Sequence, residues 1–159
     1  MITLNIGSKG TGKTTRTKLY LSKLKTQQTI VMLDVNTEYS EFTNIHFAEN
    51  MEEVFKALLI LENTLFVIEE AVMFFGHHNE KTFYNWLVKQ RHQNNDFIFN
   101  FHSLRQIPMY ILDFVDYIIL GKTHDLPSLV NAKFKNTKIE LYYNALQDKP
   151  KYDFKIFKP

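Results

Sequence analysis

The first fourteen residues limit what this chain can fold into more than any other segment. Residues 1–6 form a predicted apolar strand that runs directly into GSKGTGKT at residues 7–14, which matches the pattern GxxxxGK followed by Ser or Thr. Glycines let such a loop turn tightly and aim successive N–H groups at an anion, and a following helix adds its positive N-terminal end. An apolar periodicity over residues 14–24 predicts that helix. The segment therefore predicts a strand, a phosphate-binding loop and a helix.

The loop predicts a site for ATP and Mg²⁺. Lys13 is placed to reach the β- and γ-phosphates, and the hydroxyl of Thr14 is placed to bind the metal ion. The predicted nucleotide-binding residues are Gly7, Ser8, Lys9, Gly10, Thr11, Gly12, Lys13, Thr14 and Thr15.

Two adjacent carboxylates follow the apolar segment Thr64–Ile68. Because a buried strand cannot easily hold two neighbouring acids, Glu69 and Glu70 are expected at the carboxyl end of a strand, where open α/β sheets bind ligands. There Glu69 is predicted to hold the Mg²⁺ shell, usually through water, and Glu70 to activate the water that attacks the γ-phosphate. The pair predicts hydrolysis of ATP.

Apolar segments alternate with helical patterns along the chain, which predicts an α/β fold with a mainly parallel sheet flanked by helices. Further strands are predicted over residues 29–33, 64–68, 96–101 and 116–121, and further helices over 51–62 and 80–93. After Pro127 the pattern changes, because residues 137–143 and 152–157 alternate apolar with polar side chains. These two segments predict a C-terminal antiparallel pair at the sheet edge.

Length and composition restrict the remaining possibilities. At 159 residues the chain suits a single domain, predicted over residues 1–159. The lack of cysteine excludes disulfides and cysteine-based chemistry. We expect no signal peptide, because no charged-then-apolar leader is found, and no transmembrane segment, because no apolar run approaches about eighteen residues. A cytoplasmic location is the expectation.

The order of the motifs resembles that of the HerA/FtsK superfamily of P-loop ATPases over residues 1 to about 122. Besides the loop, the shared elements are Asp34, Glu38, Tyr39, Glu69, Glu70, Arg91, His92 and residues 97–102. Within the superfamily the chain is most similar to the small DNA-packaging ATPases of membrane-containing double-stranded DNA viruses. The resemblance implies a RecA-like P-loop NTPase fold of the type with an additional strand and a catalytic glutamate.

Two further site residues follow from the resemblance, each with a competitor. A residue at the end of the fourth strand senses the γ-phosphate in this superfamily, and here His102 is the first candidate and Asn100 the second. An arginine finger neutralises charge in the transition state. Arg91, placed before the sensor strand, is the candidate, and Arg105 competes with it.

The resemblance also implies partners. It predicts a homo-oligomeric ring, with a hexamer favoured, that moves double-stranded DNA without sequence specificity into a viral capsid. A capsid-vertex or membrane protein is the predicted partner. The predicted location is the virion or the host cytoplasm. Lys133, Lys135 and Lys138 are the predicted DNA contacts. Two alternatives stay open: a secretion or assembly ATPase of the conjugation or filamentous-phage type, and a structural subunit that binds nucleotide without hydrolysing it.

Overall fold

The computed structural model describes residues 1–24, 28–76, 85, 87–90 and 92–159. The strands in these ranges are β1 (Ile2–Ile6), β2 (Thr29–Leu33), β3 (His46–Phe47), β4 (Thr64–Ile68), β5 (Asp96–Phe101), β6 (Tyr117–Gly121) and β7 (Phe154–Phe157). The α-helices with described bounds are α1 (Lys13–Lys23), α2 (Met51–Ile60), α3 (Ala71–Gly76), α4 (Pro127–Phe134) and α5 (Lys138–Gln147). Two 3₁₀ segments cover Leu104–Gln106 and Met109–Phe114.

The described strands form one sheet in the order β3-β2-β4-β5-β1-β6-β7, and its neighbouring strands are parallel except for the antiparallel pair β6 and β7. β5 lies between β1, which leads into the phosphate loop, and β4, which ends at the paired acids. This is the additional strand that the resemblance implied, so the predicted fold class is confirmed. The arrangement brings the ends of β4, β5 and β1 side by side at one edge of the sheet.

Apolar side chains cover both faces of this sheet. One cluster joins alternate residues of the strands to α2, α3, α4 and α5, with Leu4, Phe66, Phe99 and Phe134 completely or almost completely buried. A smaller cluster on the opposite face packs Leu21 of α1 against the other set of strand residues. Parallel strands buried on both faces require continuous apolar sequences, which is why β4 reads as an uninterrupted apolar segment. Within the described residues, none of the helices has the length and apolar character needed to span a membrane.

The predicted strand over residues 137–143 is wrong, because this segment belongs to α5. Thr137 caps the helix by accepting a hydrogen bond from the Glu140 N–H, and the Glu140 carboxylate accepts one from the N–H of Asn136. Ile139 and Tyr143 are buried on the same side of the helix, four residues apart. The antiparallel pair exists, but its members are β7 and β6.

The predicted helix over residues 80–93 falls partly outside the described residues. Residues 85, 87–90 and 92 are helical, and residue 93 lies in a turn. Residues 80–84, 86 and 91 are outside the described ranges, and with them the candidate arginine finger Arg91.

Candidate active site

The phosphate loop spans the gap between the end of β1 and the start of α1. Its N–H groups are anchored on both neighbouring strands, since Gly7 donates to the carbonyl of Phe101 (3.0 Å) and Ser8 to that of Lys122 (2.9 Å). Gly10 and Gly12 have φ angles of +76° and +83°, which glycine adopts without strain. The loop is therefore held tightly between β5 and β6 and turns into α1 through left-handed backbone.

The loop forms one wall of a cleft of about 420 Å³ at the carboxyl edge of the sheet. The cleft brings together most of the predicted site residues with three others, and it is lined by Lys9, Gly10, Gly12, Lys13, Thr14, Thr15, Asn36, Glu38, Glu69, Glu70, His102 and Tyr152. Three further predicted residues of the loop, Gly7, Ser8 and Thr11, are buried and do not line the cleft. Their polar groups brace it, since the Thr11 hydroxyl donates to the Ser8 carbonyl at 2.8 Å.

Lys13, His102 and Glu70 form a chain of hydrogen bonds across the cleft. The buried Lys13 ammonium lies 2.6 Å from the Gly7 carbonyl and 3.1 Å from Nδ1 of His102, and Nε2 of His102 lies 2.9 Å from Oε1 of Glu70. A lysine ammonium has only donors, so Nδ1 of a neutral His102 accepts and Nε2–H donates to Glu70. Burial lowers the pKa of Lys13. The histidine thus connects the predicted phosphate-binding lysine to the predicted water-activating carboxylate.

Glu69 is buried at the end of β4 and is surrounded by hydrogen-bond donors. Its Oε1 accepts from the hydroxyl of Tyr39 and from Nδ2 of Asn100, the latter at 3.0 Å. Burial raises the pKa of Glu69 to about 7, and the nearby Glu38 carboxylate adds to this, while the Tyr39 hydrogen bond and the Lys13 ammonium oppose it. Burial also raises the pKa of Tyr39, so its hydroxyl stays a donor.

The site offers the oxygen ligands that Mg²⁺ prefers. The Thr14 hydroxyl is hydrogen-bonded to Oε2 of Glu38 at 2.9 Å, and the Glu69 carboxylate faces the same cleft. Gly10 and Gly12 add no side chain of their own to the loop surface where phosphates would approach. Hydroxyl, carboxylates and an open anion cradle together fit a phosphate-bound magnesium ion.

A buried polar network behind the cleft escaped the interpretation of the sequence. Asn5 of β1 and Asn100 of β5 are paired neighbours, and Nδ2 of Asn5 donates to Oδ1 of Asn100 at 2.7 Å. Arg16 of α1 donates to Oδ1 of Asn5 (3.1 Å) and to the Thr11 carbonyl (2.8 Å). The network links the phosphate loop to Asn100 and through it to Glu69. In the sequence, this network could have been inferred from one asparagine inside each of two apolar strands, Asn5 in β1 and Asn100 in β5.

The remaining candidates lie outside the cleft. Arg105 is exposed in the first 3₁₀ segment, where its N–H contacts Asp125 (3.4 Å). The ammonium of Lys133 donates to the carbonyls of Arg105 (2.8 Å) and Ile107 (2.6 Å), and burial lowers its pKa. The ammonium of Lys138 likewise donates to a carbonyl, that of Lys158 at 3.0 Å. The DNA contacts at Lys133, Lys135 and Lys138 stay predictions.

Solved structures share this architecture. The DNA-packaging ATPase B204 of Sulfolobus turreted icosahedral virus matches 99% of this chain over 91% of its own length, with a TM-score of 0.77 and 19% identity. The genome-packaging NTPase B204 of Sulfolobus turreted icosahedral virus 2 matches with the same coverage and TM-score in complex with AMPPCP, at 18% identity, and with ATP-γS, at 17%. No protein-family model and no curated protein matches the sequence. At these identities the likeness shows the fold, which is the P-loop ATPase fold expected from the motifs.

Proposed function

We propose that this chain is a Mg²⁺-dependent ATPase whose nucleotide lies in the cleft described above. The observation that carries the proposal is the convergence of a phosphate loop with Lys13, His102 and Glu70 at one edge of the sheet. The fold is shared with B204 proteins that were solved with AMPPCP and ATP-γS. Residues 1–159 are proposed to act as one ATPase domain.

Five residues of the cleft have separate tasks in the proposed hydrolysis. Loop N–H groups and Lys13 bind the phosphates, and the ammonium exchanges its loop carbonyl partners for phosphate oxygens. Glu70 accepts the proton of the attacking water, and His102 holds the carboxylate in place through Nε2–H. Thr14, and Glu69 through water, would hold Mg²⁺, which would neutralise phosphate charge when bound.

The ATPase is further proposed to drive double-stranded DNA into a capsid as a ring-shaped homo-oligomer, for which a hexamer is the expected size. The support is the resemblance of the motifs and the shared fold with B204, a DNA-packaging ATPase. Lys133, Lys135 and Lys138 are proposed to contact the phosphate backbone, which makes binding insensitive to sequence and sensitive to salt. Arg91 and Arg105 remain the two candidates for the arginine finger.

Steady-state ATP hydrolysis by the wild type and by Glu70→Gln, with and without double-stranded DNA at two salt concentrations, tests both levels of the proposal. Loss of the general base should lower the rate by roughly 10²- to 10⁴-fold, because glutamine keeps the shape but cannot take the proton. Glu62→Gln, an exposed carboxylate just before β4, is the matched control and should keep the full rate.

The outcomes separate the candidate functions. A rate that rises with DNA, falls with salt and is lost in Glu70→Gln supports a DNA motor. Hydrolysis that depends on Glu70 but ignores DNA overturns DNA translocation and favours a secretion or assembly ATPase. Turnover that is equal in the wild type and Glu70→Gln overturns hydrolysis at this site and leaves a nucleotide-binding subunit.

A further inference from the structure

One aromatic side chain on the cleft surface has no part in the proposed hydrolysis. Tyr152 lies in the turn before β7, its side chain is 69% exposed, and it borders the same cleft as the phosphate loop. Its ring is close to the loop itself, since a methyl group on Gly12 would lie 3.8 Å from Cδ1 of Tyr152. An exposed aromatic ring at a ligand cleft is a surface on which another flat ring can stack.

The order of the strands determines which part of a nucleotide would meet this ring. Along the carboxyl edge, Glu70 follows β4, His102 follows β5, the phosphate loop follows β1, and Tyr152 precedes β7 beyond β6. A nucleotide whose terminal phosphate lies near Glu70 and His102 must extend its nucleoside away from them. The direction past the phosphate loop leads to Tyr152.

The turn that carries Tyr152 is held in fixed relation to the loop. The N–H of Asp153 donates to the carbonyl of Pro150 at 3.0 Å, and this hydrogen bond closes the turn. Lys122, directly after β6, accepts from the N–H of Ser8 at 2.9 Å and donates from its ammonium to the carbonyl of Gln147 at 2.5 Å. The same residue therefore anchors both the phosphate loop and the segment that leads into the turn.

Two further side chains bring the segment around Tyr152 close to the phosphate loop and α1. Lys151 places its ammonium beside Gly10, where a methyl group would lie 2.8 Å from Nζ. The guanidinium of Arg16 lies 4.9 Å from the centre of the Phe154 ring. Tyr152 thus lies between two residues whose side chains approach the phosphate loop and α1.

We infer that Tyr152 binds the base of the nucleoside triphosphate by stacking on its face. The inference rests on the proposed function, because it takes the phosphate positions from the loop. It adds a second recognition element from the C-terminal part of the chain, so that the phosphate loop binds the triphosphate and Tyr152 distinguishes a nucleotide from a bare polyphosphate. Stacking recognises the aromatic face, which every base offers. ATP and GTP should therefore gain similar affinity over inorganic tripolyphosphate.

Equilibrium binding of Mg·ATP and of inorganic tripolyphosphate, measured by calorimetry on four variants, tests this inference. Tyr152→Leu removes the ring but keeps apolar bulk, and it should weaken ATP binding by about 5- to 100-fold while tripolyphosphate binding is unchanged. Tyr152→Phe should restore ATP affinity. Tyr117→Leu, at the opposite edge of the sheet, is the control for loss of an exposed tyrosine, and Lys13→Ala tests the phosphate loop by itself.

The results distinguish failure of the inference from failure of the proposed site. Selective loss of ATP affinity in Tyr152→Leu, with rescue by phenylalanine, supports stacking. Equal weakening of both ligands, or no change in either, overturns it, because Tyr152 would then hold the loop or do nothing. If tripolyphosphate and ATP bind the wild type and Lys13→Ala equally, the phosphate site itself is refuted and the inference fails with it.

Discussion

Glu69 should make the stability of the ligand-free protein depend on pH in a direction opposite to that of most carboxylates. Burial raises its pKa in the folded protein from the ordinary value of 4.5 to about 7. In that interval the folded chain keeps a proton that the unfolded chain has released, so the free energy of unfolding falls as pH rises. Each pKa unit corresponds to about 1.4 kcal/mol, so the difference between the unfolded and folded pKa values corresponds to a total loss of about 3 kcal/mol in the free energy of unfolding.

The substitution Glu69→Gln removes this titration while keeping an oxygen that can accept from Tyr39 and Asn100. The difference in unfolding free energy between the variant and the wild type should therefore grow in favour of the variant by about 2–3 kcal/mol between pH 5 and pH 8. Most of this change should occur below pH 7, where the folded and unfolded carboxyl groups differ in protonation.

Urea unfolding followed by circular dichroism, in chelator and without nucleotide, measures this difference at each pH. Glu62→Gln provides the matched control, because the same chemical change is made at an exposed position that should show no such trend. Parallel stability profiles for the wild type and Glu69→Gln would refute the argument. They would mean that Glu69 is ionised in the folded protein throughout this range and that Tyr39 and Lys13 outweigh burial.

Two further substitutions test how the scaffold of the site is held. Asn95→Ala should lower the free energy of unfolding by about 2–4 kcal/mol. The reason is that Oδ1 of Asn95 accepts from the buried N–H of Thr64 at 3.0 Å, and its side-chain amide donates to neighbouring oxygens. Asn44→Ala, at an exposed position, should have little effect in the same urea titration. Lys133→Met should lower the free energy of unfolding by about 1–3 kcal/mol, because the carbonyls of Arg105 and Ile107 lose their donor. Lys135→Met should leave the free energy of unfolding unchanged. Equal effects of these two substitutions would contradict the structural role of Lys133.

Local patterns were sufficient to predict several elements to the residue. The strands Thr29–Leu33, Thr64–Ile68 and Asp96–Phe101 occur as predicted, since each is a short apolar segment bounded by polar residues. Residues 137–143 show the limit of this reasoning. They contain both an alternating pattern and a helix cap, and the packing of Ile139 and Tyr143 in the core selected the helix.

In the candidate site too, some features follow from local sequence patterns and others only from tertiary packing. The phosphate loop and the paired acids are contiguous motifs whose chemistry can be interpreted without a structure. Asn5 and Asn100 could be noticed as polar residues within apolar strands, but their partnership depends on the parallel register of β1 and β5. No local pattern separates Lys133 from Lys135, and only the course of the chain after β5 brings carbonyl groups to one of them.

The sequence by itself determined the motifs from which the chemistry is predicted, because a strand, a glycine-rich loop and two carboxylates are encoded within short segments. The tertiary structure decided which side chains meet. His102 was proposed as a sensor from its place in the chain, yet its position between Lys13 and Glu70 follows from the insertion of β5 between β1 and β4. Tyr152 reaches the loop because β7 pairs with β6. Both contacts join residues far apart in the chain, and their physical cause is the pairing of strands buried together in one core, which local preferences cannot specify.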